Sequence, residues 1–222
     1  MYDGELSAFL RQPKAAPNSI GWKTKRIFDF FIASFTLLLL SPLFAIVVLL
    51  IKLTDRGPVF SSRIYVGQGG RNFACLKFRS TVINFDKPIQ ILPKSDPSAE
   101  GDWEPSQKLV NDPRATAVGK ILRRSSLDEL PRLINVIRGE MSLVGPRPIG
   151  PSEVMRYGDK LDWYHRVRPG LTGLWRVSGR NGDEGDRCFE LEANYVRNWR
   201  FSTDLMLLLR TLGMGATQIG NH

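Results

Sequence analysis

A run of apolar residues from Phe30 to Ile51, interrupted only by Ser34, Thr36, Ser41 and Pro42, constrains this chain more than any other feature. A straight helix of roughly 22 residues is ~33 Å long, enough to cross the ~30 Å hydrocarbon core of a bilayer. The run lies too deep in the chain, and lacks the small-residue cleavage site, to be a signal peptide. Lys23, Lys25 and Arg26 precede it, and Lys52, Arg56 and Arg63 follow. A single span must therefore leave one basic flank on the disfavoured side of the membrane. Pro42, near the middle, removes a backbone hydrogen bond and kinks the helix, and the Ser41 hydroxyl is placed to satisfy a freed carbonyl. The halves Phe30–Leu40 and Leu43–Ile51 are each ~14–17 Å long, about half the core. From these residues alone, a plain span and a re-entrant helix bent at Ser41-Pro42 both stand.

The remaining 200 or so residues, about one domain's worth, restrict the chemistry. Hydrophobic residues make up 42% of the 222, enough to build a packed core. A formal charge of +9 implies an anionic partner: nucleic acid, anionic lipid or a phosphorylated substrate. The basic positions do not form an aromatic-interleaved face or a known reading helix, so no nucleic-acid partner is expected. The two cysteines, Cys75 and Cys188, are far apart and read as buried thiols. With His165 and His222 the only histidines, a zinc site or a Ser/His or Cys/His hydrolase is disfavoured. Catalysis must fall on carboxylates, Lys and Arg.

Residues 1–22 read as a polar tail near the membrane. Val59–Val66 and Asn72–Arg79 read as two strands joined by a hairpin turn at Gly67-Gln68-Gly69-Gly70. Five prolines between Asn84 and Pro113 exclude one long helix there and predict a lid or surface loop. Leu130, Leu133, Ile134 and Ile137 keep the spacing of an amphipathic helix that Gly139 can stop. A second helical pattern runs from Ser152 to Tyr164, followed by an arginine-dense stretch, His165–Asn181. Leu205–Leu209, Leu212 and Met214 form a helix suited equally to a core or to a membrane interface.

Within Arg123-Arg124-Ser125-Ser126-Leu127-Asp128-Glu129-Leu130-Pro131 two adjacent carboxylates follow two arginines. Ser126-x-x-Glu129 has the form of a capping box, although Pro131 fits a cap nearer Asp128 better. Either register puts the carboxylates at the positive end of a helix dipole. A carboxylate that attacks a pyrophosphate needs cations around it, and Arg123, Arg124 and Arg147 are candidates. Asp128 and Glu129 also suit Mg²⁺, which takes one or two carboxylates together with substrate phosphates. Asp is a competent nucleophile toward phosphoryl groups. In Gly145-Pro146-Arg147-Pro148 the prolines stiffen the backbone on both sides of a bidentate phosphate ligand.

Taken in order, Lys25-Arg26-x-Phe28-Asp29, Ser41-Pro42, Gly57-Pro58, Lys77-Phe78-Arg79, Asp112-Pro113-Arg114, Ser126 to Pro131, Asn135-Val136, Gly139-Glu140-Met141-Ser142, Gly145 to Pro148, Pro169-Gly170-Leu171-Thr172-Gly173 and Gly179-Arg180-Asn181 resemble the bacterial sugar transferase family. These are the monotopic phosphoglycosyl transferases, and the match spans roughly residues 23–212. The resemblance implies a re-entrant helix broken at Ser41-Pro42, which holds the enzyme on the cytoplasmic face of the bacterial inner membrane. It implies that Asp128 attacks the β-phosphate of a UDP-hexose, releases UMP, and passes the sugar phosphate to undecaprenyl phosphate. Glu129 would be its partner in Mg²⁺ binding or acceptor activation. Arg123, Arg147, Lys77 and Arg79 would bind substrate phosphate, and Arg180 and Asn181 the nucleotide. Anionic lipids and downstream glycosyltransferases are implied partners, with a homodimer left open. One block departs from the family pattern: Lys-Phe-Arg-Thr-Met reads Lys77-Phe78-Arg79-Ser80-Thr81.

The expected fold is α+β: a re-entrant membrane helix over 23–56, then a cytoplasmic catalytic domain over 57–222 with a short β-hairpin and several interfacial helices. No multi-span domain is expected, so the chain resembles the short members that prime exopolysaccharide synthesis with galactose or glucose phosphate. A membrane-anchored lipid-binding scaffold explains the charge and the apolar run, but does not require carboxylates among arginines. Polytopic transferases of the same net chemistry need many apolar segments, which this sequence does not contain.

Overall fold

The computed structural model describes residues 19–54, 56–82, 114–177 and 186–219. Its helical and strand elements form the expected α+β arrangement, with two small two-stranded sheets.

The apolar run folds as two helices, α1 (Ser19–Leu39) and α2 (Ser41–Thr54), bent by 62° where they meet. The break falls at Leu40, just before Ser41-Pro42. Pro42 has no N–H to give back to α1 and clashes with the preceding turn, yet is well suited to the first turn of α2. Residues 19–22, assigned to the tail from the sequence, are the first turn of α1. No described helix is by itself long and apolar enough to cross a membrane; this bent pair together has the length and composition of a broken span or a re-entrant loop.

The first half of α1 is tied into the protein by polar groups. Lys25 forms a buried ion pair with Asp204, and the Ser142 hydroxyl donates to Asp29 at 2.7 Å. Arg26 donates to the carbonyls of Val136 and Ile137. From Phe31 onward the outer face is bare: Phe31, Phe35, Leu38 and Leu39 are 64–74% exposed.

Strands β1 (Phe60–Val66) and β2 (Asn72–Phe78) pair antiparallel, with Phe60 opposite Phe78 and Val66 opposite Asn72. The hairpin turn expected at Gly67–Gly70 is present. Alternation along β2 puts Phe73, Cys75 and Lys77 on one face and Ala74, Leu76 and Phe78 on the other. The first face packs against α4 (Arg132–Arg138), and Cys75 is buried there as a free thiol. Asn135 of α4 binds the β2 backbone directly, accepting from the Leu76 N–H at 2.9 Å and donating to the Ala74 carbonyl at 2.8 Å. Phe78 turns the other way, into a cluster with Val47 and Ile51 of α2 and Leu122 of α3 (Ala117–Arg124).

Gly139 ends α4 in the left-handed conformation at φ 85°, as its sequence position predicts. Strands β3 (Ser142–Val144) and β4 (Gly170–Thr172) then pair in parallel. Their loops touch without side chains between them: a Cβ on Gly170 would lie 2.2 Å from the Gly145 nitrogen. The helical pattern over 152–164 is realised in two pieces, a 3-10 stretch Pro151–Lys160 that breaks at Gly158 and the short helix α5 (Leu161–His165). After α6 (Leu174–Val177), α7 (Asp186–Arg197) and α8 (Phe201–Ile219) close the core. Leu207 of α8 is fully buried among Val136, Met141, Val144 and Val196. Phe201, Leu205, Leu209 and Leu212 form an exposed stripe along the other side of α8.

Candidate active site

Asp128 and Glu129 lie on a single 3-10 turn, Leu127–Glu129, that precedes α4 rather than beginning it. The capping-box reading fails here: the Ser126 side chain makes no cap bond, and Ser126 sits at φ 56° in the left-handed region. Pro131, with φ preset and no N–H to satisfy, starts α4 instead. A non-glycine residue at positive φ is strained by roughly 1–3 kcal/mol, so the surrounding packing must hold the turn in place. Leu127 and Leu130, on either side of the two carboxylates, supply it by packing against the cluster that contains Val47 and Ile51 of α2. The carboxylates are thereby fixed next to the second limb of the bent helix pair.

Cations reach this turn from three elements. Lys77 of β2 places its Nζ 3.7 Å from Asp128 Oδ2 and 3.3 Å from Glu129 Oε1. Its position follows from the strand: one residue earlier or later, the side chain would point toward the α2 cluster. Arg132 Nη2 lies 3.2 Å from Glu129 Oε1, and Arg176 Nη1, from α6, lies 3.7 Å from Glu129 Oε2. Asp128 is buried to 6% exposure. Burial pushes the neighbouring Cys75 thiol up, and Arg132 and Lys77 partly offset this.

Arg123, at the end of α3, donates from Nε to the Ser80 hydroxyl at 2.8 Å, just beyond β2. Arg79 is buried and donates its backbone N–H to the Val59 carbonyl at 2.9 Å. Arg147 is engaged elsewhere: its Nη2 donates to Glu153 at 2.9 Å and its backbone N–H to Glu192 at 2.8 Å. Glu192 also accepts from the Tyr157 hydroxyl at 2.6 Å. Burial raises its pKa to about 7, against the lowering effect of those two bonds. Arg180, Asn181 and the proline-rich lid lie outside the described residues.

Comparison with known proteins places the chain in a family. The family model for bacterial sugar transferases matches residues 20–218. The chain belongs to the bacterial sugar transferase family. It is 45% identical over 204 residues to the exopolysaccharide production protein ExoY of Sinorhizobium fredii, covering 92% of this chain and 90% of the relative. It is 46% identical over 188 residues to the undecaprenyl-phosphate galactose phosphotransferase of Salmonella typhimurium, covering 84% of this chain but 39% of that longer protein. The UDP-glucose:undecaprenyl-phosphate glucose-1-phosphate transferase of Klebsiella pneumoniae is 34% identical over 206 residues, covering 89% of this chain and 41% of its own length.

Sequence reasoning named Asp128, Glu129, Lys77, Arg79, Arg123 and Arg147 around one site; the structure brings Lys77 to both carboxylates, whereas Arg147 is paired with Glu153 and Glu192. Arg132 and Arg176 were missed. Arg132 carried a usable signal, since it lies three residues after Glu129. Arg176 carried none, because it meets Glu129 only through the tertiary fold. Among the described residues no three His, Cys, Asp or Glu side chains converge into a closed metal cage. Two adjacent carboxylates nevertheless suit Mg²⁺, whose other ligands are ordinarily water and substrate phosphate.

Proposed function

We propose that this sugar transferase moves hexose 1-phosphate from a UDP-hexose to undecaprenyl phosphate through a covalent intermediate on Asp128. The observation that carries the reading is a buried aspartate at a cation-lined turn, braced against a bent apolar helix pair. The names of the relatives supply the substrate classes, and that of the first supplies exopolysaccharide production as the process.

In the first step an Asp128 carboxylate oxygen attacks the β-phosphorus of the UDP-hexose. The bond from that phosphorus to the bridging oxygen breaks, and its electron pair leaves with UMP. Hexose 1-phosphate is then held as an acyl phosphate on Asp128. In the second step a phosphate oxygen of undecaprenyl phosphate attacks the same phosphorus, freeing the carboxylate and forming undecaprenyl diphosphate hexose. Such reactions are catalysed mostly by positioning and charge stabilisation. Lys77 touches both carboxylates and offsets their repulsion of the incoming diphosphate. Arg132 orients Glu129, which activates the acceptor. Arg79, Arg123 and Arg147 are the further phosphate ligands of this reading, and Arg180 and Asn181 its nucleotide ligands. Mg²⁺, held by Asp128 and Glu129, would neutralise charge on the diphosphate.

The bent pair lies in the cytoplasmic leaflet of the bacterial inner membrane as a re-entrant element, with the stripe on α8 in the interface. Anionic lipid then meets the basic residues that flank the helices. The lipid-linked product passes to downstream glycosyltransferases, and homodimers are compatible with this arrangement.

Intact-protein mass spectrometry after incubation with UDP-galactose or UDP-glucose and Mg²⁺, without acceptor, tests the covalent step. Wild type should gain a hexose-phosphate mass. Asp128→Asn should not, and should release UMP only at background rate while still fractionating with membranes. Lipid product from wild type without any adduct would replace the covalent route with direct transfer.

A further inference from the structure

Among the cations that meet Glu129 are Lys77, Arg132 and Arg176, and they are not equivalent. Arg132 is 7% exposed and sits on α4, three residues beyond Glu129, so it is held in place by its burial. Lys77 is shared with Asp128. Arg176 is 33% exposed, and its 3.7 Å approach to Glu129 is too long for a hydrogen bond. Its other contacts are a 3.3 Å bond from Nη1 to the Leu171 carbonyl and the ring of Trp175, 5.7 Å from its guanidinium carbon. Both polar contacts use the single nitrogen Nη1, although a guanidinium has five N–H donors in a fork matched to two phosphate oxygens. Arg176 is thus the loosest member of the group, with most of its donor capacity unspent.

Its location gives that capacity a target. An anion attacked by Asp128 Oδ2 must lie beside the Lys77 ammonium, which is 3.7 Å from that oxygen and 3.3 Å from Glu129 Oε1. Arg176 meets the other oxygen of the same Glu129 carboxylate. Lys77 and Arg176 thus lie on the two oxygens of one carboxylate, so an anion seated at Lys77 and Asp128 competes with Glu129 for the cations around it. A dianionic diphosphate also offers the guanidinium two-point hydrogen bonding, which the contact with Glu129 lacks.

We infer that Arg176 is a ligand for the diphosphate of the nucleotide sugar, which Glu129 holds while the site is empty and releases when the substrate binds. The same exchange uncovers Glu129 for the acceptor step, so Arg176 couples nucleotide binding to the readiness of Glu129. This rests on the reading of Asp128 and Glu129 as the catalytic pair, and it assigns a role to a residue that the carboxylate motif does not contain.

A double-mutant cycle read by UDP binding tests it. Affinity for UDP is measured by calorimetry on purified full-length protein in detergent with EDTA present, so that carboxylate–metal contacts do not enter. Four proteins are compared: wild type, Glu129→Gln, Arg176→Gln and the double variant. Glu129→Gln should tighten UDP binding by about fivefold or more, because Arg176 no longer has to leave a carboxylate. Arg176→Gln should weaken it by a similar factor, and the gain from Glu129→Gln should disappear in that background. An equal gain with and without Arg176, or wild-type UDP affinity in Arg176→Gln, overturns the proposal. Where Arg176→Gln does not yield folded protein, Arg176→Met carries the same test with the same signs, since it keeps the apolar stem and removes the charge. The two readings fail separately. Asp128→Asn that still releases UMP, with no adduct on wild type, removes the catalytic reading. Inactive Asp128→Asn beside an Arg176→Gln that binds UDP normally removes only this one.

Discussion

Glu192 keeps a carboxylate where water cannot reach it, between the Tyr157 hydroxyl and the Arg147 backbone. Its pKa is raised from 4.5 to about 7 because burial penalises the charged form more than those two donors help it. The folded protein therefore binds more protons than the unfolded chain between those values, and stability falls as pH rises through that window. Below it the group is neutral in both states and costs nothing. Above it the full penalty applies, on the order of 3 kcal/mol from the size of the shift. Glu192→Gln keeps an oxygen for the Arg147 N–H and offers an amide to the Tyr157 oxygen. The variant should melt above wild type at pH 8, with the gap closing toward pH 5. Thermal unfolding in detergent at both pH values measures this, and a gap independent of pH would contradict the assignment. Arg147 is thus braced by its backbone as well as by Glu153, a constraint that the prolines on either side of it announce only in part.

Elements whose cause is local were readable in the sequence. The β1–β2 hairpin follows from alternation and a glycine-rich turn, the stop of α4 from Gly139, and the break between α1 and α2 from Pro42. The α4 start was misread in both registers: the backbone at Ser126 does not adopt the capping template of Ser126-x-x-Glu129, and a cap nearer Asp128 fails because Asp128 and Glu129 occupy a separate 3-10 turn ahead of Pro131. The helix at 152–164 was read as one piece because a periodic pattern does not register the reversal at Gly158. What stayed hidden were meetings between distant segments: Lys25 with Asp204, Arg26 with the end of α4, Arg176 with Glu129, and the parallel pairing of β3 with β4. No spacing in the chain encodes those. The last of them makes a test of the fold around the Gly-Pro-Arg-Pro loop. A Cβ at Gly170 would lie 2.2 Å from the Gly145 nitrogen and 2.4 Å from the Thr172 carbonyl oxygen, and neither is a flexible side chain that can yield. Gly170→Ala should cost at least about 1–3 kcal/mol, the usual scale of overpacking. It should lower the melting temperature or the yield of folded protein; an unchanged melting temperature would mean that β3 and β4 do not approach this closely.

For the molecule as a whole, the distribution of polar and apolar groups along α1 bears on the proposed re-entrant placement. Lys25 and Asp29 are buried against α8 and β3, so this end of α1 is anchored in the protein. The far end of α1 and the outer side of α2 expose Phe35, Leu38, Leu39, Leu49 and Leu53, and α8 exposes Leu205, Leu209 and Leu212. Soluble monomers rarely leave so much large apolar surface uncovered. A 62° bend turns α2 well off the axis of α1, so the pair can sit with its elbow in the apolar layer and both limbs tilted, and basic residues flank it at both ends. Placing both flanks on the cytoplasmic side satisfies the preference of Lys and Arg for that face, whereas a span satisfies it at one end only. Single cysteines introduced within residues 1–18 and at Arg56, in a background with Cys75 and Cys188 replaced by Ala, report both ends. Both should react with a membrane-impermeant maleimide only after the inner membrane is opened. Pro42→Ala restores the missing N–H and lets α1 continue straight into α2. It should reduce the amount of correctly inserted protein and expose a fraction of the tail cysteine to the periplasm. Labelling of the tail in intact spheroplasts of the Pro42-containing protein would establish a span, and with it a different placement of the Asp128 turn relative to the lipid.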